Sequence, residues 1–371
     1  MHSGSAEPQA GAAIGRLTAH LAPQPDLEAL GAAWRTLQRD CPHSFFQSWS
    51  WIGCLARATG RTPQVMSVRD GERLVGLAAW FEGPVALPWQ RRLALSELGD
   101  ERYDRVYIEY NGVLAMHGHD DAIRRATLSF LQARARPWLD RFLLGGVPSV
   151  YADLARSLGW RVYERDSKEV FSLALTDLDA PNRHLAMLSR NVRQHIRRSL
   201  RFYARPPALT VAGSVDEALA YMARLKVLHQ ASWRRRGRAG AFAEPFFETF
   251  HRRLIEENFD KGHVELVRVA AGDEDIGYLY NFIYGDRVYF YQSGLRYFDD
   301  NRARPGLVSH HLCIEAHAKA GRQHYDFMAG AQRYKTDLGA RPSGRLNWIE
   351  LRRPLSDHLR GSLSPSKGMI D

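Results

Sequence analysis

The hydrophobic pattern of the first half changes from helical spacing to alternation and back. Apolar residues at helical spacing predict two amphipathic helices, within residues 25–40 and 48–60, the second ending at Gly60. Alternation then begins, and Asp70-Gly71 is a strong β-hairpin signal. Further strands are predicted in DRVYIEYNGVL, DRFLLGGV and EVFSLAL, and further helices in DDAIRRATLSFLQARA and YADLARSLGW.

The second half repeats this order. SVDEALAYMARLKVLHQASWRRR and PFFETFHRRLIEEN predict helices, HVELVRVAAGDEDIGYLYNFIYGDRVYFYQSG a three-stranded meander, GLVSHHLCIEAHAKAG a helix and HYDFMAG a strand. Aligning SVRDGERLVG with RVAAGDEDIG places Gly76 on Gly277, which indicates either two copies of one α/β unit or a chance match. The predicted class is α/β (α+β), with mixed, mostly antiparallel sheets flanked by helices.

Composition and charge narrow the class of protein. The chain has 371 residues, of which 45% are hydrophobic, enough to bury a large core. Its 51 basic and 41 acidic residues give a net charge of +10, which favours anionic partners. Three cysteines without paired spacing argue against disulfides and fit the cytoplasm. The longest apolar run, residues 74–81, falls well short of the roughly 20 residues of a membrane span.

Four segments between about residues 185 and 339 resemble a known family: LSRNVRQHIRRSLR, LHQASWRRRGRAGAF, VYFYQSGLRYFDDNRARPGLVSHHLCIEAHAKAG and YDFMAGAQRYKTDLG. Their order and spacing resemble the CelD-like (cellulose-biosynthesis-associated) branch of the GNAT acetyltransferases, which is similar in turn to the Fem-type aminoacyltransferases. The resemblance implies tandem GNAT-like domains, an N-terminal one at 26–181 and a C-terminal acyltransferase domain at 182–355. Residues 1–25 are predicted to be disordered and 356–371 to form a flexible tail.

The same resemblance implies transfer of an acyl group from acetyl-CoA or another acyl-CoA to an amine on a small molecule or glycan. A strand ends near Ser293-Gly294 and a helix begins near Pro305-Gly306, where free N–H groups and the helix dipole suit a pyrophosphate. The predicted donor-binding residues are Ser293, Gly294, Arg302, Arg304, Gly306 and Leu307.

Two alternatives to this function stay open. GNAT enzymes usually carry Arg/Gln-x-x-Gly-x-Gly/Ala at this place, whereas RARPGL keeps an arginine and one glycine. A Fem-like transferase that uses aminoacyl-tRNA and a non-catalytic binding protein with this fold are therefore competing hypotheses. Pro-Gly before a helix is also common in proteins that bind nothing there.

The resemblance also implies that the strands in RVYFYQSG and HYDFMAG separate at their ends, with the thioester in the gap. Gly330 would let the backbone approach the ligand, Tyr334 could donate a proton to the leaving thiolate, and Lys335 could hold an anionic group. Alternatively, Tyr334 is a half-buried aromatic residue of a loop and Lys335 is a solvated side chain, neither with a role in function.

A general base is needed because acyl transfer requires a neutral amine. Asp326 is the first candidate and His310 the second. His229 and Trp233, four residues apart on one helix face, could line an acceptor pocket together with Tyr291, or could pack in the core. No histidine and cysteine arrangement shows convincing metal spacing, so no metal is expected.

Arginines recur every three or four residues in SRNVRQHIRRSLRFYAR, on one helical face: Arg190, Arg193, Arg197 and Arg201. Such a face could grip phosphates of CoA, of a nucleotide-linked substrate or of RNA, or could simply be solvated. We assign Arg197 and Arg201 to the substrate or to approach to a membrane surface. Sequence-specific nucleic-acid recognition is not expected, and the sequence does not indicate an oligomeric state.

Overall fold

The computed structural model describes residues 17–178, 180 and 182–354. The strands are β1 (Leu17–Pro23), β2 (Gln64–Asp70), β3 (Arg73–Glu82), β4 (Arg91–Leu95), β5 (Leu114–Ala115), β6 (Asp140–Pro148), β7 (Arg161–Ala174), β8 (Ala208–Val211), β9 (Val264–Ala271), β10 (Glu274–Tyr284), β11 (Arg287–Leu295), β12 (His324–Ala329) and β13 (Arg341–Arg352).

The helices lie between these strands and flank the sheet. They are α1 (Leu27–Gln38), α2 (Trp49–Thr59), α3 (Glu101–Asp104), α4 (Asp120–Arg134), α5 (Val150–Ser157), α6 (Arg183–Met187), α7 (Arg190–Leu200), α8 (Val215–Arg235), α9 (Pro245–Asn258), α10 (Pro305–Lys319) and α11 (Arg333–Asp337). Short 3-10 turns occupy Phe45–Gln47 and Ala241–Ala243.

Local sequence signals fix several of these boundaries. Asp26 caps α1 by accepting hydrogen bonds from the N–H groups of Glu28 and Ala29. Helix α2 ends at Gly60, whose φ of 64° is a left-handed conformation that glycine adopts without strain. The predicted hairpin is confirmed, because Asp70 pairs with Arg73 across its turn.

The order of elements repeats along the chain, as the sequence predicts. Both halves run strand, two helices, three strands, helix, strand, helix, strand, from β1 to β7 and from β8 to β13, with α3 and β5 inserted in the first half. The aligned glycines occupy equivalent crossings of helix and strand. A Cβ at Gly76 would lie 2.5 Å from Ile123 of α4, and one at Gly277 would lie 3.2 Å from Ser309 of α10.

All the strands belong to one 13-stranded sheet, in the order β1-β2-β3-β4-β6-β13-β7-β12-β11-β10-β9-β8, with β5 beside β3. The last strands of the two halves are exchanged, since β13 pairs with β6 of the first half and β7 pairs with β12 of the second. Strands β7 and β13 also pair with each other at the centre of the sheet. The sequence did not predict β13. The domain boundaries at 26–181 and 182–355 stay a prediction.

Two parts of the first half differ from expectation. Residues 17–23, predicted within a disordered N-terminus, form β1 and pair with β2. DRVYIEYNGVL does not form the predicted strand, because Tyr107 and Tyr110 have positive φ values of 49° and 51° that break the extended pattern, and only its last residue, Leu114, belongs to a strand, β5. The predicted disordered residues 1–16 and the tail 356–371 lie outside the described range.

The hydrophobic core joins the two halves. Phe45 stacks on Phe282 with ring centroids 4.3 Å apart, and Trp51 packs against Phe250 at 4.8 Å. The three cysteine thiols are buried and free. Among the described residues, no helix combines the length and the apolar character that crossing a membrane requires.

Candidate active site

Strands β11 and β12 separate after a short stretch of parallel pairing. Their register joins Arg287 to His324, and the pairing ends two residues later where Tyr289 meets Asp326. Beyond that point β12 bulges where it pairs with β7, and Met328 takes a left-handed φ of 61°, a strained conformation for a side chain of this size. The two strands therefore leave a gap at their carboxyl ends.

A cavity of about 730 Å³ opens at this gap. It brings together ten of the residues singled out from the sequence, which are His229, Trp233, Tyr291, Ser293, Arg304, Gly306, Leu307, His310, Tyr334 and Lys335. It is also lined by side chains that the sequence did not single out, among them Tyr107, Glu109, Arg236, Gln292, Asn301 and Gln332.

The N-terminus of α10 forms one wall of the cavity. Pro305 occupies the first helical position, and the Val308 N–H makes the first helical bond, to Arg304 O at 3.0 Å. The N–H groups of Gly306 and Leu307 precede that bond, so they have no acceptor within the helix. The first turn contains no acidic residue, and the positive end of the helix dipole therefore faces the cavity without a competing charge.

The equivalent place in the first half has the opposite character. Helix α4 begins with Asp120 and Asp121, whose charges oppose anion binding. The gap between β4 and β6 is filled by Asn111, which donates hydrogen bonds to Leu95 O at 2.7 Å and Gly145 O at 3.0 Å. The second half therefore combines an open strand gap with a helix N-terminus that favours anions, whereas the equivalent position in the first half has neither.

Glu109 is a carboxylate that the first half contributes to the cavity. It is half-buried, and its Oε2 accepts a hydrogen bond from the Ala329 N–H at 2.7 Å. Burial raises the pKa of Glu109 from 4.5 to about 7, although the Ala329 N–H and the Lys335 charge act in the opposite direction. A carboxyl with this pKa exchanges a proton readily near neutral pH, which suits a general base.

Lys335 holds the backbone at the strained end of β12. Its buried Nζ donates hydrogen bonds to Met328 O at 3.0 Å and to Ala329 O at 2.8 Å. Burial lowers the pKa of Lys335 from 10.5 to about 8, while the carboxylates of Glu109 and Asp326 raise it. The predicted site lysine is therefore a buried group that fixes the gap, and it is not a solvated side chain.

Three cross-links position the segment that carries Glu109. The Tyr291 hydroxyl donates to Val106 O, and the Tyr110 hydroxyl lies 2.8 and 2.9 Å from the two carboxylate oxygens of Asp326. The Glu109 contact with the Ala329 N–H is the third. Each link joins the first half to a strand of the second, so the cavity depends on both halves.

Asp326 does not reach the cavity, and its predicted role as the base has no support from this geometry. Its fully buried side chain accepts hydrogen bonds from Arg287 at 3.0 Å and from the Met328 N–H at 2.7 Å, besides the Tyr110 hydroxyl. Burial raises the pKa of Asp326, and the Arg287 charge and these hydrogen bonds lower it. The carboxylate stabilises the bulge and the Tyr110 segment.

His310 and Tyr334 stack on each other in the cavity wall, with ring centroids 5.5 Å apart. Burial lowers the pKa of His310 from 6.5 to about 3, and the Lys335 charge and His184 lower it further, so its imidazole is a weak base at neutral pH. Burial raises the pKa of Tyr334, which keeps its proton and can serve as a hydrogen-bond donor.

His229 and Trp233 lie on the opposite side of the cavity, with ring centroids 5.7 Å apart. His229 Nδ1 donates to Ser293 O at 3.1 Å and Nε2 accepts from the Ala241 N–H at 3.3 Å, so both ring nitrogens are engaged in structure. An adjoining pocket of about 520 Å³ shares these two residues and is also lined by Glu101 and Asp104. Arg105 lines the same pocket, and Asp104 Oδ1 accepts a hydrogen bond from the Leu98 N–H at 2.7 Å, so the pocket has mixed charge with one more acidic than basic residue.

Two predicted donor-binding residues have other roles. A Cβ at Gly294 would lie 2.2 Å from Leu225 O, so this glycine allows α8 to pack directly on β11. Arg302 pairs with Asp300 at 2.5 Å and lies over the Phe202 ring at 5.6 Å, outside the cavity lining.

The remaining predicted substrate residues also lie outside the cavity lining. Gly330 follows β12 with a φ of 103°, a conformation that favours glycine, and it donates to Glu169 O at 2.9 Å. Arg197 is exposed on α7 and Arg201 is exposed directly after it, while the buried face of α7 carries Val192 and Ile196. Helix α7 touches α10 where Ser199 Oγ accepts from the Arg304 N–H at 2.9 Å.

Comparison with known families supports an acyltransferase fold. Residues 190–336 match the model of the acetyltransferase (GNAT) domain. The chain therefore carries a GNAT-fold acyltransferase domain, which contains α8 to α10, β11, β12 and most of the cavity. No curated protein matches the chain in sequence. The CelD-like branch stays a prediction.

Similar solved structures extend over nearly the whole chain. The crystal structure of FemX superposes with a TM-score of 0.57 at 12% identity, covering 90% of this chain and 98% of FemX. L-PGS from Bacillus licheniformis gives 0.51 at 10% identity, covering 91% and 96%. The C-terminal domain of a protein designated a lysylphosphatidylglycerol synthetase in Agrobacterium fabrum gives 0.52 at 11%, covering 92% and 99%. At these identities the likeness shows a shared fold.

Proposed function

We propose that this protein transfers an acyl group from acyl-CoA to a primary amine in the cavity between β11 and β12. The observation that carries the proposal is the meeting of an open strand gap, an acid-free helix N-terminus and the Glu109 carboxyl in one cavity. The donor supplies an activated acyl carbonyl, and the chain supplies binding, orientation and proton transfer.

The donor-binding part of the proposal rests on α10. The N–H groups of Gly306 and Leu307 and the exposed Arg304 would hold the diphosphate. A Cβ at Gly306 would lie 3.3 Å from Leu295 and otherwise meets no close atom, so the backbone there is accessible to a ligand. The volume of about 730 Å³ suits the pantetheine arm and acyl group of such a donor.

Proton transfer is assigned to two groups. Glu109, with a pKa raised to about 7, would take a proton from the ammonium group of the acceptor, and the resulting neutral amine would attack the acyl carbonyl. Tyr334, which keeps its phenolic proton, would donate a hydrogen bond to the departing sulfur. Lys335 would keep the carbonyls of Met328 and Ala329 in place while these steps occur.

The acceptor is proposed to be cationic before it reacts. The side pocket that contains His229 and Trp233 is lined by two acidic residues, Glu101 and Asp104, and by one basic residue, Arg105. The excess of one negative charge would attract a positively charged amine towards Glu109. Amino sugars and polysaccharide precursors with free amines belong in the acceptor screen for this reason.

Calorimetry and a turnover assay test the proposal together. The purified chain is titrated with acetyl-CoA and longer acyl-CoAs, and release of free CoA is followed with a panel of amines. We expect binding of the CoA esters and no binding of an acyl thioester that lacks the nucleotide diphosphate. No heat and no thermal shift across the series would remove the proposal.

A donor on tRNA is the second candidate, and the arginine face of α7 favours it. Arg190, Arg197, Arg198 and Arg201 are exposed, and α7 contacts α10 at the cavity mouth through Ser199. A polyanion bound along this face could present its acyl end to the same gap. Transfer from charged tRNA without transfer from acyl-CoA would select this candidate, while turnover with either donor would exclude a purely non-catalytic protein.

A further inference from the structure

A second cluster of reactive side chains lies under the C-terminal half of α10, and the proposed acyl transfer does not use it. Cys313 and His317 stand one turn apart on α10, and Glu265 projects from β9; their ligand atoms all lie within 4.8 Å of one another. His317 Nε2 is 3.1 Å from Glu265 Oε1. The cluster lies away from the cavity, whose lining includes none of these residues.

Asn281 of β10 completes the cluster. Its amide nitrogen lies 2.9 Å from Glu265 Oε1 and 3.5 Å from Cys313 Sγ. The side chain is fully buried, and its Oδ1 has no hydrogen-bond partner within the described part of the chain. A half-turn of the amide exchanges its two ends and would direct the unpaired oxygen into the cluster. The same rotation moves the amide N–H groups to the position that the oxygen leaves.

We propose that Cys313, His317, Glu265 and Asn281 form a zinc site. A tetrahedral zinc with bonds of about 2.0–2.3 Å requires ligand atoms about 3.3–3.7 Å apart. Three separations in the cluster are 2.9, 3.1 and 3.5 Å, close to this spacing, and the ligand atoms of Cys313, His317 and Glu265 all lie within 4.8 Å of one another.

The chemistry of the donor set also fits zinc. A thiolate, a carboxylate, a neutral imidazole and an amide oxygen together carry two negative charges, which balance a divalent cation in a buried place. Sulfur, nitrogen and oxygen ligands are those that zinc combines, whereas magnesium and calcium prefer oxygen. Ligands separated by three residues on one helix, as Cys313 and His317 are, point to the same side.

The position of the site suggests a structural role. It joins α10 to β9 and β10, which belong to the meander beside the strand gap. His317 is about 16 Å along the helix from Gly306, from the rise of 1.5 Å per residue. Zinc there would fix the far end of the helix whose N-terminus faces the cavity.

Cobalt titration of the whole chain tests the site without reference to catalysis. The purified protein is stripped with a chelator and titrated with Co²⁺, a probe that absorbs strongly when a thiolate binds it. We expect one equivalent to bind with a thiolate-to-cobalt charge-transfer band, zinc to displace it, and zinc to raise the melting temperature. Cys313→Ser should remove the band and weaken Co²⁺ binding by more than about 100-fold. A loss of this size exceeds the roughly 10–100-fold loss expected when a residue that only hydrogen-bonds a metal ligand is removed.

Cys54→Ser is the matched control, because Cys54 is also a buried free cysteine but lies against Phe250 O, away from the cluster. This variant should keep the band. The proposal is overturned if the wild-type chain takes up no stoichiometric Co²⁺, or if the band survives in folded Cys313→Ser. If Cys313→Ser fails to fold, the wild-type spectrum decides alone, since a hydrogen-bonded network without metal affinity gives no charge-transfer band.

Discussion

Replacing Glu109 by glutamine should lower activity and raise stability at the same time. The substitution keeps the size of the side chain and an oxygen that can still accept from the Ala329 N–H, but it removes the ionisable proton. If Glu109 is the base, kcat should fall by about 10²–10⁴-fold. For the wild type, kcat/KM should rise with pH as the carboxyl with a pKa of about 7 loses its proton.

The stability change follows from the same pKa. Because burial raises the pKa of Glu109 from 4.5 to about 7, the folded protein favours the neutral carboxyl and is destabilised as that carboxyl ionises. The penalty is absent below the unfolded pKa, grows as pH rises from 4.5 to about 7, and is constant above. A shift of this size corresponds to about 3 kcal/mol. Glu109→Gln also removes the negative charge that attracts Lys335, and this loss offsets part of the gain in stability. We therefore expect Glu109→Gln to raise the free energy of unfolding by about 1–2 kcal/mol at about pH 8.

Thermal or urea denaturation of wild type and variant, at about pH 5 and about pH 8, measures this difference. The gain should be larger at the higher pH, and the turnover assay should show the loss of activity in the same preparations. Glu72→Gln, at the exposed β2–β3 turn, is the control and should change neither quantity. A variant that keeps full activity, or that is stabilised equally at both pH values, would refute the reasoning.

Four further predictions concern separate parts of the structure. Gly306→Glu should abolish donor binding in calorimetry because it places a negative charge at the N-terminus of α10. Gly306→Ala, whose Cβ would lie 3.3 Å from Leu295, is the control and should change the donor affinity little. Equal donor affinities of the two variants would show that the donor binds elsewhere. Gly294→Ala should lower the free energy of unfolding by about 1–3 kcal/mol, because the new Cβ would overlap Leu225 O. An unchanged melting temperature would contradict this contact. Asp326→Asn should cost about 1–3 kcal/mol in denaturation, because the buried carboxylate accepts hydrogen bonds from Arg287, the Tyr110 hydroxyl and the Met328 N–H. It should lower kcat less than Glu109→Gln does, and the reverse order of kcat values would support Asp326 as the base. Arg197→Ala combined with Arg201→Ala should weaken a polyanionic partner mainly at low salt, and a salt-independent effect in a filter-binding assay contradicts an electrostatic role.

The parts of the site that lie close together in the sequence were predictable from it. The strand end near Ser293, the Pro305-Gly306 helix start and the Tyr334-Lys335 turn each carry a local signal, and the structure places all three around one cavity. Local patterns were sufficient here because a helix N-terminus is defined by its own first turn.

Glu109 could not be predicted in the same way. Its contact with Ala329 joins residues 220 positions apart, and the segment that holds it has an alternating apolar pattern typical of a strand. Positive φ values at Tyr107 and Tyr110, stabilised by contacts with the second half, overrode that local preference. Tertiary contacts of this kind leave no periodic signal in the sequence.

Asp326 and Gly294 lie outside the cavity lining, although the sequence pattern favoured them as site residues, for a related reason. Alternation along a strand fixes the face on which a side chain lies only while the pairing is regular, and the bulge between Asp326 and Met328 interrupts it. Gly294 allows α8 to pack closely on β11. A glycine that allows close packing of a helix and a glycine that allows close approach of a ligand look the same in the sequence.

A crystal structure of the chain with a non-hydrolysable acyl-CoA analogue, in which a thioether replaces the thioester, tests the central claim most directly. We predict that the diphosphate will lie within hydrogen-bonding distance of the Gly306 and Leu307 N–H groups, with the acyl end between β11 and β12 and facing Glu109. A ligand bound elsewhere, or a diphosphate held away from the start of α10, would contradict the account.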